Sequence, residues 1–183
     1  MSGIGKMEKE KIEKRAEKVL EKYCDNPDTI TYIDAVKLAK MFGFSVSESN
    51  ALPAFEDGSI TVTEPNLDKG GIIEKNILVN DDRSFEAKRF IIVHELAHYL
   101  LHYQCNGELF RHRENIKGKN TEENDADYFA ACLLMPEKSF RRQYDLLRIG
   151  KTYKELVFEL QKKFRTPFQS IERRISEVCQ TRS

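Results

Sequence analysis

The chain has 183 residues, and its 30 Lys+Arg balance 30 Asp+Glu, for a net charge of zero. Such balance excludes the strong global field that steers nucleic acid or an anionic membrane, and no apolar run approaches the roughly 20 residues of a transmembrane span. Four dispersed cysteines (Cys24, Cys105, Cys132, Cys179) without a C-x-x-C pair read as reduced thiols of a cytoplasmic protein, not a disulfide frame.

The length suits one main domain, drawn at residues 1–150, with a small helical appendage at 151–183. The N-terminal MSGIGKMEKEKIEKR lacks the apolar stretch of a signal peptide. From residue 6 to 23, Met7, Ile12, Ala16, Val19, Leu20 and Tyr23 form a stripe on a Lys/Glu-rich amphipathic helix. Asn26-Pro27-Asp28 breaks it. Thr31 is the expected cap of a second helix running to about Phe42, with Gly43 as its stop. Extended structure follows at Phe44–Val46, then β-branched alternation at Ser59–Thr63 and another strand signal at Ile72–Asn80. Two or three antiparallel strands are expected there, a lid on the core whose edge could equally dock an extended peptide. Ser84, after the turn Asp81–Arg83, places the next helix start near residue 85.

That helix carries the chemistry. Arg89–Tyr103 has no Gly or Pro, and Phe90, Ile91, Val93, Leu96, Ala97, Leu100 and Leu101 recur at helical spacing. Within it lies His94-Glu95-Leu96-Ala97-His98, the H-E-x-x-H pattern. At i and i+4 the two imidazoles share a face, with Cβ atoms roughly 5–6 Å apart, and both can reach one Zn2+. Glu95, about 100° around the helix, is poorly placed as a ligand but can reach a water bound to the metal, the position of a general base. His102 lies on the same face about 12 Å along the axis from His94, too far for a compact three-His site.

Residues 104–121 lack periodicity and read as a loop. A helix resumes near Glu122 and ends at Met135-Pro136. Further helices are expected at about 137–147, at 154–164, and, after a turn at Arg165–Pro167, at 168–178. Two His leave a catalytic zinc short of a third ligand. Leu101 and Gln104 occupy the positions where a metzincin spacing needs Gly and His, so that solution fails. Glu123 and Asp127, again i and i+4, offer another: Glu123 as ligand, Asp127 behind a ligating ring. The same acids also suit a capped first turn, and Glu122 and Asp125 are the nearest substitutes as ligand. Mn2+ is compatible with the same donors.

HELAHYLLH (His94–His102), ENDADYFAACLLMP (Glu123–Pro136) and ILVNDDRS (Ile77–Ser84), in this context, resemble the ImmA/IrrE family of zinc metallo-endopeptidases over roughly residues 30–175. The resemblance implies a compact, mostly helical α+β fold with a gluzincin-like (zincin) core, ending in a helix-turn-helix-like pair around Phe164–Ile175. It implies His94, His98 and Glu123 as zinc ligands, Glu95 as catalytic base and Asp127 behind the site, where many relatives carry Asn. It further implies a protein substrate, a helix-turn-helix repressor of a phage, mobile element or stress response. Arg165, Arg173 and Arg174 lend the C-terminal pair a mildly basic face, the one place where DNA binding is conceivable; simple packing is the favoured role.

Overall fold

A computed structural model describes residues 6–53, 56–63, 73–103, 111–113 and 121–179. Its elements are α1 (Lys6–Tyr23), α2 (Ala35–Met41), β1 (Ser45–Ser49), β2 (Gly58–Val62), β3 (Lys75–Asn80), α3 (Phe85–His98), a π-helical turn (Tyr99–Tyr103), β4 (Arg111–Arg113), α4 (Thr121–Leu134), α5 (Glu137–Leu147), α6 (Tyr153–Phe164) and α7 (Phe168–Val178). The expected α+β class, dominated by helix, is what the chain adopts. Two compact units divide it: Asp34–Asp127, and Gly5–Ile33 with Tyr128–Ser183.

In the first unit α2 begins later than the Thr31 cap expected from sequence. Asp34 is the cap, its carboxylate accepting the Lys37 N–H at 2.9 Å. The apolar run that must be buried, Ala35, Leu38 and Ala39, starts directly after it, and that run sets where the helix begins. Gly43, at φ 82°, ends α2 in the left-handed region that a side chain disfavours.

The sheet has the order β1-β3-β2-β4. β2 runs antiparallel to β3 and to β4, but β1 joins β3 in parallel, with Val46 opposite Ile77. The sheet is therefore mixed, not wholly antiparallel as expected. Alternation tells which face of a strand is buried, but it carries no information on the partner or its direction. The polar SVSES of β1 takes an edge, while β2 and β3 fill the centre with Ile60, Val62, Ile77 and Val79 almost fully buried. Part of the expected loop 104–121 is also strand: Arg111–Arg113 pair with Ser59–Thr61. Arg-His-Arg has no strand signal of its own; the open edge of β2 recruits it. Residues 104–110 and 114–120, Asn120 among them, lie outside the described residues, as does the side chain of Met7.

The turn into α3 is pinned from several sides. Asn80 N–H donates to Asp57 O at 2.9 Å, Asn80 Nδ2 donates to Glu56 O at 3.1 Å, and Arg83 forms an ion pair with Asp57. Ser84 then caps α3, its hydroxyl accepting the Ala87 N–H at 3.3 Å. α3 packs on β2 and β3, and Arg89 and every residue from Ile91 to His98 are buried.

The second unit gathers the helices on either side of that insertion. Ile12, Ala16 and Leu20 of α1 are buried as the stripe requires, and Phe140 meets Phe164 with ring centroids 5.2 Å apart. Thr152 and Glu155 form a reciprocal capping box on α6. Arg174 departs from the basic face expected of it. It is only 1% exposed, donates from Nε to Met135 O at 3.1 Å, and holds Nη1 3.6 Å from Glu177. Arg173 pairs with the same glutamate at 3.1 Å. At the α7 spacing Arg174 shares a face with Ile171, Ile175 and Val178, all buried, and that face sends the arginine inward. Among the described residues no helix is long and apolar enough to cross a membrane.

Candidate metal centre

Because α3 stays α-helical through His98, the i, i+4 spacing acts as expected. The His94 and His98 rings stand 4.8 Å apart by centroid, and their Nε2 atoms face each other at 3.0 Å. The first turns of α4 bring in Glu123, whose Oε2 lies 3.2 Å from His94 Nε2 and 3.6 Å from His98 Nε2. Three donor atoms separated by 3.0–3.6 Å match one face of a tetrahedron around an ion with bonds of about 2.0–2.1 Å, whose edges are about 3.3 Å. The set His94, His98, Glu123 thus fits the three protein donors of a divalent metal site. Among the described residues it is also the one such group; Glu122 and Asp125 do not join it.

Asp127, one turn beyond Glu123, places Oδ1 3.1 Å from His94 Nδ1. With Nδ1–H donating to that carboxylate, the Nε2 lone pair is left for a metal. Burial by itself pushes the His94 pKa down. The carboxylates of Asp127 at Nδ1 and Glu123 at Nε2, and then the charge of Glu95, outweigh it and push the pKa up to about 10. The metal-free ring is therefore a cation at neutral pH. A metal must displace that proton, as is usual for an imidazole site.

Glu95 has no exposed surface, and the sequence gives no sign of what lies against it. The fold supplies the answer: Gly58 of β2, whose backbone comes so close that a Cβ there would sit 3.4 Å from Glu95 Cγ. After His98 the helix widens into the π-helical turn, a change with no sequence signature, where an unbroken α-helix to Tyr103 was expected. The turn keeps Tyr99 and Leu101 buried and sets the His102 ring 5.9 Å from that of His98. His102 Nε2 is buried without a hydrogen-bond partner among the described residues. Of the tyrosines near the motifs, Tyr99 is engaged by Lys75, whose Nζ donates to its hydroxyl at 2.8 Å, and Tyr128 donates to Glu13 within the second unit. The side chain of Tyr103 lies outside the described residues.

The fold resembles that of a Mycobacterium tuberculosis transcriptional regulator with a TM-score of 0.58 at 19% identity, covering 94% of this chain and 48% of that one. The chain thus spans about half the length of that protein. No curated protein matches it. Residues 55–176, two thirds of the sequence and the stretch holding every residue of the centre, match the IrrE N-terminal-like domain, classed as a peptidase family. The chain belongs to the IrrE N-terminal-like domain family, whose membership suggests a metallopeptidase or a regulator of the IrrE/ImmA type.

Proposed function

We propose that this protein is a cytoplasmic, zinc-dependent endopeptidase that cleaves a helix-turn-helix transcriptional repressor. The supporting observation is the convergence of two buried imidazoles and one carboxylate within 3.6 Å, with Glu95 beside the first of them on the same helix. A structural site has no use for that extra carboxylate.

His94, His98 and Glu123 would hold Zn2+, which when bound lowers the pKa of water and polarises a carbonyl. Asp127 keeps the Nδ1 proton of His94 in place, so the ring presents Nε2 inward. Glu95 accepts a proton from the attacking water as its oxygen bonds to the scissile carbonyl carbon. It then gives that proton to the departing amide nitrogen as the C–N bond breaks. The burial of Glu95 and both imidazoles keeps competing solvent away and strengthens these charge interactions.

The rival reading is a regulator that binds DNA through residues 151–183 or sequesters a repressor without cutting it. The inward Arg174 and the Arg173–Glu177 pair take two of the three arginines away from the basic face expected there, which favours the peptidase. The deciding experiment incubates the metal-loaded protein with helix-turn-helix repressors taken from the neighbourhood of its gene. Cleavage is expected, is abolished by chelator, and is lost in Glu95→Gln although that variant keeps its metal. A repressor bound but left whole by the wild type would establish sequestration instead.

A further inference from the structure

Gly58 opens β2 against the buried face of α3. A Cβ built on it would lie 2.4 Å from Ile91 Cγ2, 3.2 Å from Leu78 O and 3.4 Å from Glu95 Cγ. Real Cβ contacts essentially never fall below 3.0 Å, so any side chain here forces a displacement of about 0.6 Å or more in a close-packed interior. Gly58 has no left-handed backbone angle to satisfy. Space alone is what demands glycine.

The strand is the part least able to retreat. β2 is clamped between β3 and β4, with Gly58 opposite Val79 and Ser59 opposite Arg113. The residues just before it are fixed by Asn80, through its bonds to Asp57 O and Glu56 O, and by the Arg83–Asp57 ion pair. Displacement therefore falls on α3. It falls first on Ile91 and Glu95, which stand one turn apart on the face that meets Gly58. His94 and His98 are not among the atoms that a Cβ at Gly58 would meet first.

We propose that Gly58 is a positioning residue for Glu95: its missing side chain lets α3 settle onto β2 at the depth that aims the Glu95 carboxylate at the open side of the His94–His98–Glu123 group. The role differs from that of the ligands, since it governs the aim of the base and not the holding of the ion. It rests on the reading of Glu95 as general base given above.

The test compares wild type, Glu95→Gln, Gly58→Ala and the double variant Gly58→Ala with Ile91→Leu, each loaded with Co2+ in place of Zn2+. Leucine keeps the volume of isoleucine but lacks the Cγ2 that clashes. Three quantities are read: bound Co2+ per chain, the pH titration of the visible Co2+ bands, and kcat and KM on the repressor. Gly58→Ala should bind one Co2+, shift its spectral titration toward that of Glu95→Gln, and lose kcat by about 10- to 100-fold with little change in KM. The double variant should recover most of both. The inference is overturned if Gly58→Ala titrates and turns over as wild type does, if it loses the metal outright, or if Ile91→Leu gives no rescue. Should Glu95→Gln itself match wild type in spectrum and turnover, the base reading falls and this one with it. A changed Glu95→Gln beside an unchanged Gly58→Ala removes this inference alone.

Discussion

Removing the carboxylate behind His94 separates two opposing effects on metal affinity. Asp127→Ala deletes the acceptor 3.1 Å from His94 Nδ1, leaving an N–H without its partner on a ring only 5% exposed. Loss of such a partner typically weakens metal binding by about 10- to 100-fold, or about 1.4–2.8 kcal/mol. Yet Asp127 is also the foremost of the groups that raise the His94 pKa, against burial, to about 10. In the wild type the metal competes with that proton, so apparent affinity should climb about tenfold per pH unit until the pH nears the pKa. Without Asp127 the proton is held less firmly and the climb should level off at lower pH. The variant should therefore be most deficient near about pH 9 and less so near about pH 6. Competitive titration of Zn2+ against a chromophoric chelator across that range measures both slope and offset. An Asp127→Ala curve lying within about twofold of wild type, with the same slope, would refute the assigned partnership.

Two further outcomes follow from the same structure. In metal-free protein the pKa of His94 is pushed up from the ordinary 6.5 to about 10. Its contribution to stability is then fully present below pH 6.5 and is lost as pH rises toward about 10. The apo protein should melt a few degrees lower at about pH 9 than at about pH 7, and His94→Gln should remove this contribution; a wild-type trend of opposite sign, reversed in that variant, would sink the argument. Arg174→Ala withdraws one partner from a buried ion pair and from the Met135 carbonyl. Since Arg173 stays on Glu177, the loss should fall at the low end of the usual range, about 3 kcal/mol. Urea denaturation that registers less than about 1 kcal/mol would show the pair to be energetically idle.

What could be read from the chain was local. The H-E-x-x-H pair, the Ser84 cap and the Met135-Pro136 stop depend on neighbours within about four residues, where helix geometry leaves one arrangement. Glu123 was only half legible, because an acid in a first turn serves the helix dipole as well as it serves an ion; the fold adds that this turn lies against His94 and His98, 3.2 Å and 3.6 Å away. Gly58 was illegible. It touches Glu95 across 37 positions of sequence, and an isolated glycine at the start of a strand signal reads as an ordinary turn. The parallel β1–β3 pairing and the burial of Arg174 escaped for a related reason: periodicity reports how a segment faces the core but not what it will meet there.

The two outer strands have a consequence for how copies of this protein behave at high concentration. β1 presents Ser, Val, Ser, Glu and Ser, largely to solvent, and ties Glu48 to Lys88; β4, at the opposite border, is three residues long. Among the described residues, neither offers the flat, oily ribbon along which separate molecules zip into shared sheets. Copies brought close together therefore meet, along these two borders, no long apolar strand with which to pair.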